Sequence, residues 1–200
     1  MTERSESLQL FVDAAFVAFD QFAKASDARR SMLQIFAALE RPGAERRGPG
    51  NRLPVCDHLD MTLSIKTSYP SLQHLIERFK EIEPQLTWRR RAKYDETASN
   101  NFVDGHANAM IIGPGGLEAR TDLWLGVTLM APHVRYPDHD HEPEEVYLVL
   151  SEGEFRQGEG DWFSPGVGGS FYNIPEIKHA MRSTDKPLFA FWALLPDTKH

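Results

Sequence analysis

Two hundred residues carrying 29 acidic against 22 basic side chains give a formal charge of −7, which argues against nucleic acid as a partner, because phosphate binding needs a positive footprint. A hydrophobic content of 41% is enough for one well-buried globular domain, and no apolar run approaches the roughly 20 residues that span a bilayer. The single cysteine, Cys56, rules out an internal disulfide, and the polar, acidic start lacks the basic and apolar segments of a secretory signal, so a cytoplasmic, non-membrane protein is expected.

Residues 7–24 have the three-four spacing of an amphipathic helix, with Leu8, Phe11, Val12, Ala15, Phe19 and Phe22 as its stripe. A second helix is expected over 27–40 on Met32, Ile35, Phe36 and Leu39, with Ser26 or Asp27 as its cap. The stretch from Arg41 to Asn51, rich in proline and glycine, reads as a mobile loop. A third helix fits 69–83, with Leu72, Leu75, Ile76, Phe79 and Ile82 on one side and Pro84 to end it. The basic cluster Arg89–Lys93 reads as a solvated helix end or loop.

From about residue 102 the hydrophobic period changes from helical to alternating. Asn108–Ile112 reads as a strand and Gly113–Gly116 as a tight turn. Between Thr121 and Ala131, Leu123, Leu125, Val127 and Leu129 share one face, opposite Asp122, Trp124, Thr128 and Met130. Further short segments at 153–157, 161–163, 169–174 and 188–195, separated by glycine and proline, fit a sandwich or barrel.

The stretch around which this half is organised runs from Tyr136 to Tyr147 and holds two histidines, three glutamates and two tyrosines. If an extended path starts near His139, then His139, His141, Glu145 and Tyr147 point the same way, and Val146, Leu148 and Leu150 the other. Two imidazoles, a carboxylate and a phenol on one face suit a divalent transition metal. His179, in the later strand-like segment Ile174–Met181, is a candidate to complete the set. His58, His74, His106 and His133 have no local partners and read as exposed or satisfied in packing.

His139-x-His141-x3-Glu145, then Gly153, then Pro175-x3-His179 resembles the two motifs of the cupin family over about residues 100–196. Three departures stand out: seven residues, not six, separate Glu145 from Gly153, no glycine follows Pro175, and Ser183 stands where asparagine is frequent. The resemblance implies a mainly β fold, a cupin β-barrel over 101–200, with residues 1–100 as an N-terminal α-helical extension packed on it. A narrower resemblance is to the cupin dimethylsulfoniopropionate (DMSP) lyases of the DddQ type: Tyr136, His139, His141, Glu145 and Tyr147 in this register, a histidine 32 residues after Tyr147, and a helical extension.

That resemblance implies one divalent transition metal held by His141, Glu145, His179 and Tyr147, with His139 either a ligand or placed beside the metal toward substrate. The ion's identity is open among zinc, iron(II), manganese, cobalt and nickel. It also implies Tyr147 as catalytic base. A free phenol, with a pKa near 10, is a poor base at neutral pH, but a nearby cation favours the phenolate. Tyr136 is a candidate to contact substrate or share the proton transfer, and Tyr136, Trp124 and Trp192 are candidates to hold a sulfonium against an aromatic face. The function expected is a lyase acting on a small molecule, releasing dimethyl sulfide and acrylate. Two rivals share the motif: a cupin dioxygenase using iron(II) and oxygen, which gives no reason for a tyrosine at 147, and a non-catalytic cupin that binds a small ligand. Nothing in the sequence fixes the oligomeric state.

Overall fold

A computed structural model describes residues 3–196. Helix α1 (Glu6–Phe22) starts where Ser5 accepts the Leu8 amide, and α2 (Ser26–Leu39) follows after a short break. The cap of α2 is not the one expected. Ala25 occupies that position without a side-chain bond, and Asp27 lies inside the first turn, paired with Arg30. Short α3 (Leu59–Thr62) precedes α4 (Pro70–Ile82), in which proline opens the helix because it has no amide hydrogen to lose there. One further turn, α5 (Phe102–Gly105), leads into the strands.

The strands are β1 (Ala44–Glu45), β2 (Trp88–Arg89), β3 (His106–Ile112), β4 (Glu118–Ala119), β5 (Trp124–Met130), β6 (Arg135–His139), β7 (Glu144–Val149), β8 (Glu154–Gln157), β9 (Ser170–Asn173), β10 (His179–Arg182) and β11 (Leu188–Leu195). The large sheet runs β1-β4-β3-β5-β11-β7-β9, with β2 also paired to β3, and the small sheet runs β6-β10-β8. The two sheets enclose one interior, a cupin-type barrel with helices packed on its outside. The stretch 41–51 is tied down: β1 pairs with β4, and the Gly50 and Asn51 amides bond to the carbonyls of Pro84 and Leu86. The fully buried Glu118 carboxylate contributes to this, since it accepts from the Gly43 amide and the Arg4 guanidinium.

Alternation along the large sheet gives it two faces. Leu125, Val127 and Leu129 of β5, Val146 and Leu148 of β7, and Phe189 and Phe191 of β11 form one core with the stripes of α1 and α4. Phe79 of α4 packs edge-on to Phe189 and Phe191 at 5.5 and 5.3 Å, and Phe11 of α1 lies 5.9 Å from Phe191. The opposite parity faces the small sheet, where Met130, Tyr136, Tyr147, Val149, Phe155, Met181 and Leu188 make a second, smaller cluster. No helix among the described residues is long and apolar enough to cross a membrane.

Candidate metal centre

The chain does not run extended from His139 to Tyr147. His139 ends β6 in the small sheet, a turn carries His141, and Glu145 and Tyr147 belong to β7 in the large sheet. The four side chains meet because the chain crosses from one wall of the barrel to the other. Antiparallel pairing sets His179, at the start of β10, directly opposite His139. Their rings are 4.1 Å apart, and those of His141 and His179 are 5.0 Å apart.

The three imidazoles are oriented in the same way. His139 Nδ1 faces the Pro137 carbonyl at 2.9 Å, His141 Nδ1 that of Pro143 at 2.8 Å, and His179 Nδ1 that of Ile177 at 2.9 Å. A carbonyl only accepts, so each Nδ1 donates and each Nε2 is left with a lone pair. One nitrogen from each ring lies within 4.8 Å of those of the other two. Glu145 Oε2 lies 3.4 Å from His141 Nε2 and 3.3 Å from His179 Nε2. His179 Nε2 is buried and has no hydrogen-bond partner among the described residues. Lone pairs and a carboxylate gathered in one place could hold a metal ion, and outward Nδ1 bonds of this kind orient histidines for such a role. His139, left between two roles by the sequence, lies together with His141 and His179 in this cluster.

The ionisation of the site follows from the same crowding. Burial, with the His179 imidazole alongside, pushes His139 down to about 3. For Glu145 burial opposes ionisation, but the His141 and His179 imidazoles beside it outweigh that and hold the carboxyl well below the usual carboxylate range. His141 is shifted up, its burial being outweighed by Glu145. Tyr147, buried and stacked on Phe171 at 5.0 Å, is raised well above an ordinary phenol by burial and then by the Glu145 charge. Tyr136 is also raised by burial, but the Arg91 charge and an Asn108 hydrogen bond pull the other way.

Several residues of this site carried no signal in the sequence. Asn173 sits opposite Glu145 in the β7–β9 register and donates to its Oε2 at 3.0 Å, and Gln157 donates to Asn173 Oδ1 at 2.6 Å. The amide–carboxylate chain fixes the rotamer of Glu145. Arg91 is not simply solvated: its guanidinium lies 5.9 Å from the centre of the Tyr136 ring, and its backbone amide donates to His106 Nε2 at 2.8 Å. His106 is the packed histidine among the four set aside, fully buried and stacked on Phe102. Strand parity, applied to polar residues as well as apolar ones, would have picked out Asn173 alone of these.

The two tryptophans differ in setting: Trp192 packs against the barrel-side cluster and Trp124 is not part of it. Trp192 is the register partner of Tyr147 on β11, and its indole N–H donates to Thr128 Oγ1 at 3.0 Å. Trp124 lies against Gly113, its buried indole nitrogen without a partner among the described residues. A cleft of about 730 Å³ runs outside this end of the barrel, lined by Arg30, Asp122, Glu142, Glu144 and Glu176 among others, and contains none of the three histidines.

A cupin-type barrel with a buried imidazole–carboxylate cluster and two phenols is the class of protein these observations define. The family model for dimethylsulfoniopropionate lyase matches residues 27–190, and the chain belongs to that family. Over 91 residues it is 33% identical to dimethylsulfoniopropionate lyase DddQ of Ruegeria pomeroyi, a match covering 45% of each chain. It is 25% identical over 132 residues to the putative lyase DddL of Cereibacter sphaeroides, covering 66% of this chain and 54% of that one. These matches span about half the length of the curated relatives. Among solved structures, DddQ of Ruegeria pomeroyi superposes with a TM-score of 0.71 at 23% identity, over 98% of this chain and 95% of that one. A chain from the structures of the DMSP lyases RdDddP and RnDddQII gives 0.71 at 21%, over 96% and 94%. Both likenesses establish the shared fold.

Proposed function

We propose that this protein is a metal-dependent lyase that cleaves DMSP by β-elimination to dimethyl sulfide and acrylate. The observation that carries the reading is the convergence of three Nε2 lone pairs and Glu145 beside two buried tyrosines, in a chain of this family. His139, His141, His179 and Glu145 would hold a divalent ion, with Tyr147 at its edge. When bound, that ion supplies positive charge that favours the Tyr147 phenolate and offsets the charge developing on the substrate carboxylate.

The chain's own residues do the rest. Tyr147 Oη takes the α-proton, and the electron pair left on the α-carbon forms the new carbon–carbon double bond. The bond from the β-carbon to sulfur breaks with its pair on sulfur, so dimethyl sulfide departs neutral and needs no general acid. Acrylate remains, and the phenol returns its proton to solvent. Burial of Tyr147 excludes water that would otherwise solvate and level the phenolate. Trp192 and Phe171, which flank Tyr147 across β7, offer aromatic faces to the sulfonium.

The test is headspace dimethyl sulfide from purified protein and DMSP, before and after chelation and return of a divalent metal. Release that stops with chelator and recovers with metal is expected. No release with any of zinc, iron(II), manganese, cobalt or nickel sinks the reading, and oxygen uptake would then point to dioxygenase chemistry.

A further inference from the structure

One polar chain in the barrel wall ends at Tyr136. Trp192 Nε1 donates to Thr128 Oγ1 at 3.0 Å, Thr128 Oγ1 bonds Asn108 Oδ1 at 2.6 Å, and Asn108 Nδ2 bonds Tyr136 Oη at 3.0 Å. Thr128 and Asn108 are register partners on β5 and β3, and Trp192 reaches over from β11. Gly126 permits this: a Cβ there would sit 2.2 Å from a carbon of the Trp192 indole, so only glycine lets the ring lie across β5.

The chain has one polarity. An indole N–H donates and cannot accept. Thr128, 2% exposed, therefore accepts from Trp192, and its own hydrogen finds its acceptor at Asn108 Oδ1. That orients the amide, so Asn108 turns its NH2 to Tyr136 and the phenol oxygen receives a hydrogen bond. The reverse orientation would strand the buried threonine hydrogen, which is costly. Among the described residues the Tyr136 O–H then has no protein acceptor, and it stands where the chain reaches the histidines, with the Tyr136 and His139 rings 4.9 Å apart.

We propose that Asn108, set by Thr128 and Trp192, is a positioning residue that keeps the Tyr136 hydroxyl free to donate to the carboxylate of the bound substrate. On this assignment the Trp192 N–H serves the protein wall, and only its ring face is left for a ligand. The inference rests on the lyase reading for its substrate but not for its test, because a product carboxylate binds without turnover.

The experiment measures acrylate binding by calorimetry on the metal-loaded protein, together with KM and kcat for DMSP and metal content. Asn108→Asp keeps the shape but offers only acceptors, so the Tyr136 hydrogen turns to the wall. Its acrylate Kd and its KM should both rise about tenfold, the equivalent of one hydrogen bond to a charged group, with kcat falling less and metal content unchanged. Tyr136→Phe should weaken acrylate similarly, and Thr128→Val added to it should have no further effect, since the two act through one hydrogen. Thr128→Val and Trp192→Phe should shift Kd in the same direction by a smaller factor, and Thr128→Ser should restore it, which also covers the case in which Asn108→Asp does not fold. Unchanged acrylate binding in the Asn108 and Thr128 variants, full additivity with Tyr136→Phe, or a wild type that does not bind acrylate overturns the proposal. Acrylate binding with no DMSP turnover sinks the lyase reading alone.

Discussion

The two faces of the large sheet are made from alternate residues of the same strands, and they are stabilised in opposite ways. On the helix side, Leu125, Val127, Leu129, Phe189 and Phe191 interlock with Phe11 and Phe79, a core of carbon against carbon. On the barrel side, Thr128, Glu145 and Trp192 are held by directed bonds, each polar group oriented by a neighbour. Size decides what the first face tolerates, and donor–acceptor order decides what the second tolerates. Stability should therefore respond mainly to changes on one face and chemistry to changes on the other.

The largest separation is expected at the barrel face. Tyr147→Phe should retain metal and fold while losing about 10²–10⁴-fold in turnover, the usual contribution of a positioned base. His179→Ala should lose metal and turnover together. Elemental analysis, DMSP turnover and thermal unfolding on the same samples check this. Retained activity in folded Tyr147→Phe removes that residue as the base.

The helix face should show the converse. Phe79 is fully buried against Phe11, Phe189 and Phe191. Phe79→Ala should cost about 3–5 kcal/mol through lost burial and the cavity left behind. In a domain of this size that is roughly a 6–20 °C drop in Tm. Turnover per folded molecule at low temperature should be unchanged. A loss of kcat without a loss of Tm would mean that the faces are coupled.

This division was visible in the sequence where it is local. The period of two in 121–131 separates Leu125, Val127 and Leu129 from Trp124, Thr128 and Met130, and the structure keeps that assignment because strand pleat is a property of neighbouring residues. The helical stripes were legible for the same reason. The site was legible in residue type but not in path. His139 and Tyr147 lie on different sheets, joined by a turn that no periodicity announces. The Asn108–Thr128–Trp192 chain depends on the registers of three strands, which no single segment encodes. Arg91, hidden in a basic run, is placed by a bond to a histidine fifteen residues away.

The smallest effect expected separates burial from chemistry at His106, which lies next to the site but outside it. Its Nδ1 donates to the Phe102 carbonyl, its Nε2 accepts the Arg91 amide, and its ring stacks on Phe102 at 3.7 Å. Burial above all, with Arg90 and Arg91 adding, pushes it down to about 4, despite the Phe102 bond. In the unfolded chain it titrates near 6.5. Above that pH both states are neutral and its contribution is complete. Between about 6.5 and 4 the unfolded chain takes up a proton that the folded one refuses, so stability falls as pH falls. Below about 4 the folded state is protonated as well and the loss levels off. The whole window amounts to about 3 kcal/mol. His106→Gln keeps a donor and an acceptor but does not titrate. It should be the less stable protein at neutral pH, and the gap should narrow steadily toward pH 4 when the metal-free proteins are compared by urea unfolding. Parallel stability curves would mean that His106 acts through packing alone, and that the acid sensitivity of this fold arises at the histidines of the barrel.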